Sequence, residues 1–122
     1  MKFQDRLNTN YFEGDEPVGI AAVVPTALPG PIESKEWQYI PERLWNRLLC
    51  LGQAYELHFA QVIEPVIDTT LDASQCQSLI EEITFLASVV DDTALRSAIH
   101  LILSQAEQVV RGGRGRLVFS SP

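Results

Sequence analysis

Basic charge, histidine and long apolar runs are scarce in this chain, and each scarcity excludes something. Nine Lys and Arg stand against 16 Asp and Glu, a formal net charge of -7. Non-specific nucleic-acid binding draws its affinity from clustered cations that displace counterions, so no nucleic-acid partner is expected. No apolar stretch approaches the roughly 18 residues that a bilayer span needs. The beginning, MKFQDRLNTN, has neither the apolar centre nor the small-residue cleavage site of a secretory leader. A cytoplasmic location and no membrane partner are therefore expected.

Histidine occurs only at His58 and His100, each without a second His, Cys or Glu at i+3 or i+4. Neither forms a metal-binding pair, and no metal or other cofactor is expected. The signatures of serine hydrolases, zinc peptidases, phosphate-binding loops and dinucleotide folds are all absent, which leaves the common catalytic readings without an anchor. The two cysteines, Cys50 and Cys76, sit inside helix-like stretches, a context that suggests reduced, packed thiols.

What is present describes one globular domain over 1–122. The chain is 46% hydrophobic and 20% charged, ordinary values for a protein that folds on one core. Residues 1–40 read as strand and loop. VGIAAVV, Val18 to Val24, is a continuous apolar run, and Pro25, Pro29 and Pro31 after it exclude a helix or central strand up to Ser34.

The period becomes helical over 41–111. Pro41 suits a first helical position, and Leu44, Leu48, Leu51, Tyr55, Phe59 and Val62 share a face up to the limit set by Pro65. Gly52 is the weak point of this helix; a break there would free AYELHFAQVI to pair as a strand. Asp72 and Gln75 have capping-box spacing ahead of a second helix whose apolar set is Cys76, Leu79, Ile80, Ile83, Leu86, Ala87 and Val90. Asp91 or Asp92 caps a third, with Leu95, Ala98, Ile99, Ile102, Ala106, Val109 and Val110 on its apolar face. RGGRGR then closes that helix and turns the chain, and LVF, Leu117 to Phe119, is β-prone enough to pair with the run around Ile20 to Val24. The expected fold is α+β: a three-helix antiparallel cluster with a small sheet made from the N-terminal segment and the C-terminal strand at 112–122.

Charge is unevenly spread, and this directs the functional reading. Residues 41–92 carry two basic and nine acidic groups, whereas 93–122 carry four and one. An acidic middle on a chain with no catalytic constellation points to a non-catalytic protein-binding domain, an inhibitor or immunity-type protein that caps a basic partner. The expected contact residues are Glu56, Glu64, Asp68, Glu81 and Glu82, with Trp37, in the polar run SKEWQ, as an exposed aromatic anchor. The alternatives are a structural or regulatory homo-oligomer in which VGIAAVV or LVF pairs with its copy, and an enzyme without a familiar motif. A deep pocket holding His58 or His100 beside a carboxylate would favour the enzyme.

Overall fold

The computed structural model describes residues 14–25, 33–35, 37–63, 68–113 and 115–120. Along the chain these form β1 (Pro17–Pro25), β2 (Glu33–Lys35), β3 (Gln38–Pro41), α1 (Glu42–Ala54), α2 (Phe59–Val62), β4 (Thr69–Asp72), α3 (Ala73–Val89), α4 (Thr93–Gly112) and β5 (Arg116–Ser120).

The strands make one antiparallel sheet in the order β2, β1, β5, β4, with β3 also paired to β1. Val23 stands opposite Lys35 and Ile20 opposite Gln38, so β2 and β3 continue one register along the same edge of β1. On the other side β1 pairs with β5, Ile20 opposite Phe119 and Ala22 opposite Leu117. The expected pairing of the LVF run with the early apolar run is therefore present. A further strand, β4, extends it, with Leu71 opposite Leu117.

This topology removes the edge proposed for self-association. VGIAAVV lies between β2/β3 and β5, and LVF lies between β1 and β4. Both runs are flanked by strands of the same chain on either side, so neither lies at a sheet edge.

Alternation along the strands sends Val18, Ile20, Ala22, Ile40, Leu71, Leu117 and Phe119 into a single core. The helices cover that face. From α1 come Leu44, Trp45, Leu48 and Leu49, from α3 Cys76, Leu79, Ile83 and Leu86, and from α4 a row running from Leu95 to Val109. Trp45 stacks on Phe119 with ring centroids 5.1 Å apart, fixing α1 to the middle of the sheet. Where Ala22 faces the interruption between β2 and β3, its N–H donates to Gln105 Oε1 of α4 at 3.1 Å. A side chain thus serves a buried donor that the ladder leaves open.

The helix boundaries follow the capping chemistry. Asp72 and Gln75 form a reciprocal capping box: Gln75 N–H donates to Asp72 Oδ1 at 2.8 Å, and Asp72 N–H donates to Gln75 Oε1 at 3.0 Å. Asp92, rather than Asp91, caps α4 by accepting from Leu95 N–H at 3.0 Å. Gly113 closes α4 at φ 74, with Arg111 in the last turn.

The first helix departs from expectation. It stops at Ala54 instead of running toward Pro65, and Tyr55 leaves the apolar face to become exposed. The segment AYELHFAQVI forms a turn and the single-turn α2, not a strand. Gly52 remains helical; its role is close approach. A Cβ built there would lie 2.6 Å from Phe59 Cζ and 2.9 Å from Ala60 Cβ, so only glycine lets α2 fold back against α1. The break is therefore a tertiary effect, driven by the burial of Phe59 and Ile63.

Candidate functional site

His58 and His100 are both exposed, and no group of three metal-ligating side chains occurs among the described residues. A cleft of about 140 Å³ between β3, α1 and α4 is lined by Tyr39, Ile40, Pro41, Leu44, Ser97, Ala98 and Leu101. A wider one of about 350 Å³ lies beside α1, lined by groups including Cys50, Gln53 and Gln61. Neither is lined by a histidine or a carboxylate, so neither brings His58 or His100 beside an acidic group.

The two thiols are free but differ, contrary to the expectation that both are packed: Cys76 is buried and Cys50 is exposed. Burial pushes the Cys76 thiol up to about 11, helped by the nearby Asp72 carboxylate, and leaves it unreactive.

The end of α1 is built from the backbone outward. Leu57 N–H donates to Gly52 O at 2.8 Å, and Glu56 N–H donates to Gln53 O at 3.0 Å. These are the paired bonds of a Schellman motif, which needs a left-handed residue between helix and turn. The residue holding that place is Glu56, at φ 57, alone among the described non-glycine residues in having positive φ. A side chain in this conformation costs about 1 kcal/mol. Its negative charge also sits at the negative end of the helix dipole, and α1 has no basic residue in its last turn.

The next element begins on borrowed support. His58 supplies no side-chain cap to α2. Instead both oxygens of Glu82, reaching over from α3, accept from the first backbone donors: Oε2 from His58 N–H and Oε1 from Phe59 N–H, the latter at 3.2 Å. A carboxylate at a helix N-terminus is favoured by both hydrogen bonding and the dipole. Glu82, half-buried, is thus engaged within the fold rather than standing on a solvated face.

An apolar surface assembles where these pieces meet. Tyr55 packs edge-on against Phe85 of α3, with centroids 5.3 Å apart and planes at 81°. Both remain exposed, by 45% and 41%, and Val89, one helical turn beyond Phe85, is exposed by 46%. Four large apolar side chains are exposed among the described residues, and three of them share this corner; the fourth, Tyr39, borders the apolar cleft on β3. Glu56 follows Tyr55 in the chain, and Glu81 lies one turn before Phe85 on α3. Both carboxylates are exposed, and neither forms an ion pair among the described residues. The aspartates nearby are engaged: Asp92 with Arg47 at 2.7 Å and Asp91 with Arg96 at 3.4 Å.

Of the contact residues expected from sequence, Glu56 and Glu81 flank this corner, and Glu82 supports it from within. Asp68, just before β4, is exposed, and Glu64 lies outside the described residues. Trp37 is not an exposed anchor. It is half-buried, and a Cβ at Gly19 would lie 3.0 Å from its Cε3, so the indole rests on the bare backbone of β1. Sequence reasoning missed Phe85 and misplaced Tyr55. A phenylalanine off the apolar stripe of α3, one turn after Glu81, was the available signal. Compared with known protein families, curated proteins and solved structures, the chain matches none.

Proposed function

We propose that this domain is a non-catalytic protein-binding module that caps a basic surface of its partner through the corner where α1, α2 and α3 meet. The observation that carries the reading is the convergence of Tyr55, Phe85 and Val89, three of the four large apolar side chains that are exposed among the described residues. Aromatic side chains held in a fixed geometry make strong interface anchors, because they bury much area at small entropic cost. Carboxylates at the margin add selectivity and rate for a cationic partner. An inhibitor or immunity-type role is the form of this function that an acidic cap on a basic surface suits best.

The test is capture from the native host's lysate with the wild-type protein and Phe85→Ala side by side, at low and moderate salt. One stoichiometric partner should be retained by the wild type and bound about 30-fold more weakly by the variant, the loss of an anchor worth about 2 kcal/mol. Unchanged melting and far-UV dichroism would show that the variant is folded. A partner retained equally by both proteins refutes this surface.

A further inference from the structure

The proposed contact surface leaves open which group of the partner it receives. Three observations at the corner bear on it. The edge-to-face contact of Tyr55 and Phe85 leaves aromatic surface in solvent, and the negative face of such a ring attracts a cation. The exposed carboxylates of Glu56 and Glu81 form no ion pair among the described residues, whereas Asp92 and Asp91 are paired with Arg47 and Arg96. Glu56 occupies a left-handed position at a helix C-terminus, where glycine would suit the backbone and a cation would suit the dipole. No cation among the described residues pairs with this carboxylate, and α1 has no basic residue in its last turn.

We infer that Tyr55, Phe85 and Glu56 form a receptor for one guanidinium group of the protein partner, stacked on the aromatic pair and held by the Glu56 carboxylate. Arginine fits better than lysine because its planar, weakly hydrated head stacks on a ring while its edge donates to a carboxylate. Glu81 lends charge from the adjacent turn of α3. This inference rests on the proposed protein-binding reading and deepens it: the corner recognises an arginine side chain, with Glu56 as the residue that sets the preference for a cation.

The experiment uses acetyl-arginine amide as the probe and acetyl-citrulline amide as its neutral counterpart of the same shape, titrated into the 15N-labelled full chain. Saturable amide shifts centred on Tyr55, Glu56 and Phe85 are expected with arginine and absent with citrulline. They should weaken about fivefold in Glu56→Gln, which keeps the side-chain size and removes the charge. In Glu56→Gly the same weakening should accompany a melting temperature raised by about 3 to 6 °C, which a purely structural glutamate would not combine. Arginine shifts at the corner that are unchanged in Glu56→Gln overturn the assignment of Glu56 while leaving the surface in place. Equal shifts with citrulline overturn the cation preference. Shifts spread over all carboxylates, or none at Tyr55 and Phe85, overturn the receptor itself, and the retention of a partner by wild type but not by Phe85→Ala would then still separate the broader reading from this one.

Discussion

Two helices in this molecule end in opposite ways. At the C-terminus of α4, Arg111 complements the dipole and Gly113 takes the left-handed turn at φ 74. At the C-terminus of α1 the same turn is made by Glu56 at φ 57, with no basic residue before it. Gly113 N–H returns to Val109 O, whereas Glu56 and Leu57 donate to Gln53 and Gly52; the residue choice at α1 is the less stable one on both backbone and electrostatic grounds. The glycines just before these turns differ as well. Gly112 faces open space, whereas Gly52 touches Phe59 and Ala60. The end of α4 is optimised as a local stop, and the end of α1 is shaped by what it packs against and by what it shows to solvent.

The sharpest test of this contrast is alanine at each glycine within the helices. Gly52→Ala should destabilise by about 2 kcal/mol, since overpacking against buried Phe59 and Ala60, about 3, exceeds the gain of about 1 in helix propensity. Gly112→Ala has only the propensity gain and should stabilise by up to about 1 kcal/mol. Urea midpoints of the two variants should therefore move in opposite directions. Next in size is Glu82→Ala, which strips the cap from α2 and should cost about 1 to 2 kcal/mol in the same assay, with faster amide exchange at His58 and Phe59.

Exchanging the two left-handed residues breaks the comparison at its centre. Glu56→Gly should stabilise by about 1 kcal/mol, and Gly113→Ala should destabilise by a similar amount. Equal and small effects at both sites would mean that the two turns are energetically alike.

The smallest effect belongs to the other end of α1. There Arg43 donates to both oxygens of Asp15, at 2.9 and 3.0 Å, and this hydrogen bonding holds the Asp15 carboxyl below its usual range. A carboxylate whose folded value is depressed contributes stability that is fully present above its unfolded value, about pH 3.9, and that is lost as pH falls through the lower folded value. With Arg43 half in solvent, the contribution is on the order of 0.5 kcal/mol or less. Asp15→Asn should flatten the acid limb of the stability curve by that amount, and added salt should shrink the difference.

How much of this was legible in the sequence depends on the range of the interaction responsible. The capping box at Asp72 and Gln75, the cap at Asp92 and the glycine stop after α4 are all settled within a few residues, and each is where the pattern puts it. The pairing of Leu117 to Phe119 with the early apolar run was readable because both are short, continuous and β-prone. The four-residue β4, built on Thr69 and Thr70, has too little pattern to be seen alone and exists because β5 offers it a ladder. The end of α1 was misjudged because its apolar period continues past Ala54; only the docking of Phe59 onto Gly52 decides where the helix stops. At the candidate surface, the excess of acid was visible in the composition, but the meeting of Tyr55 with Phe85 and the diversion of Glu82 into capping depend on contacts between distant segments.

The pairing of β1 with β5 also carries an expectation for the order of events in folding. Its partners lie roughly 100 residues apart in the chain, so closing that loop costs more entropy than any helix contact. The hairpin of α3 and α4 needs only the short turn through Asp91 and Asp92 and can consolidate first. Truncating Leu79 or Ile99 should therefore slow refolding in stopped-flow experiments, whereas truncating Ile20 or Phe119 should mainly speed unfolding. On this ordering the central ladder closes last, and the refolding and unfolding rates of those variants check it.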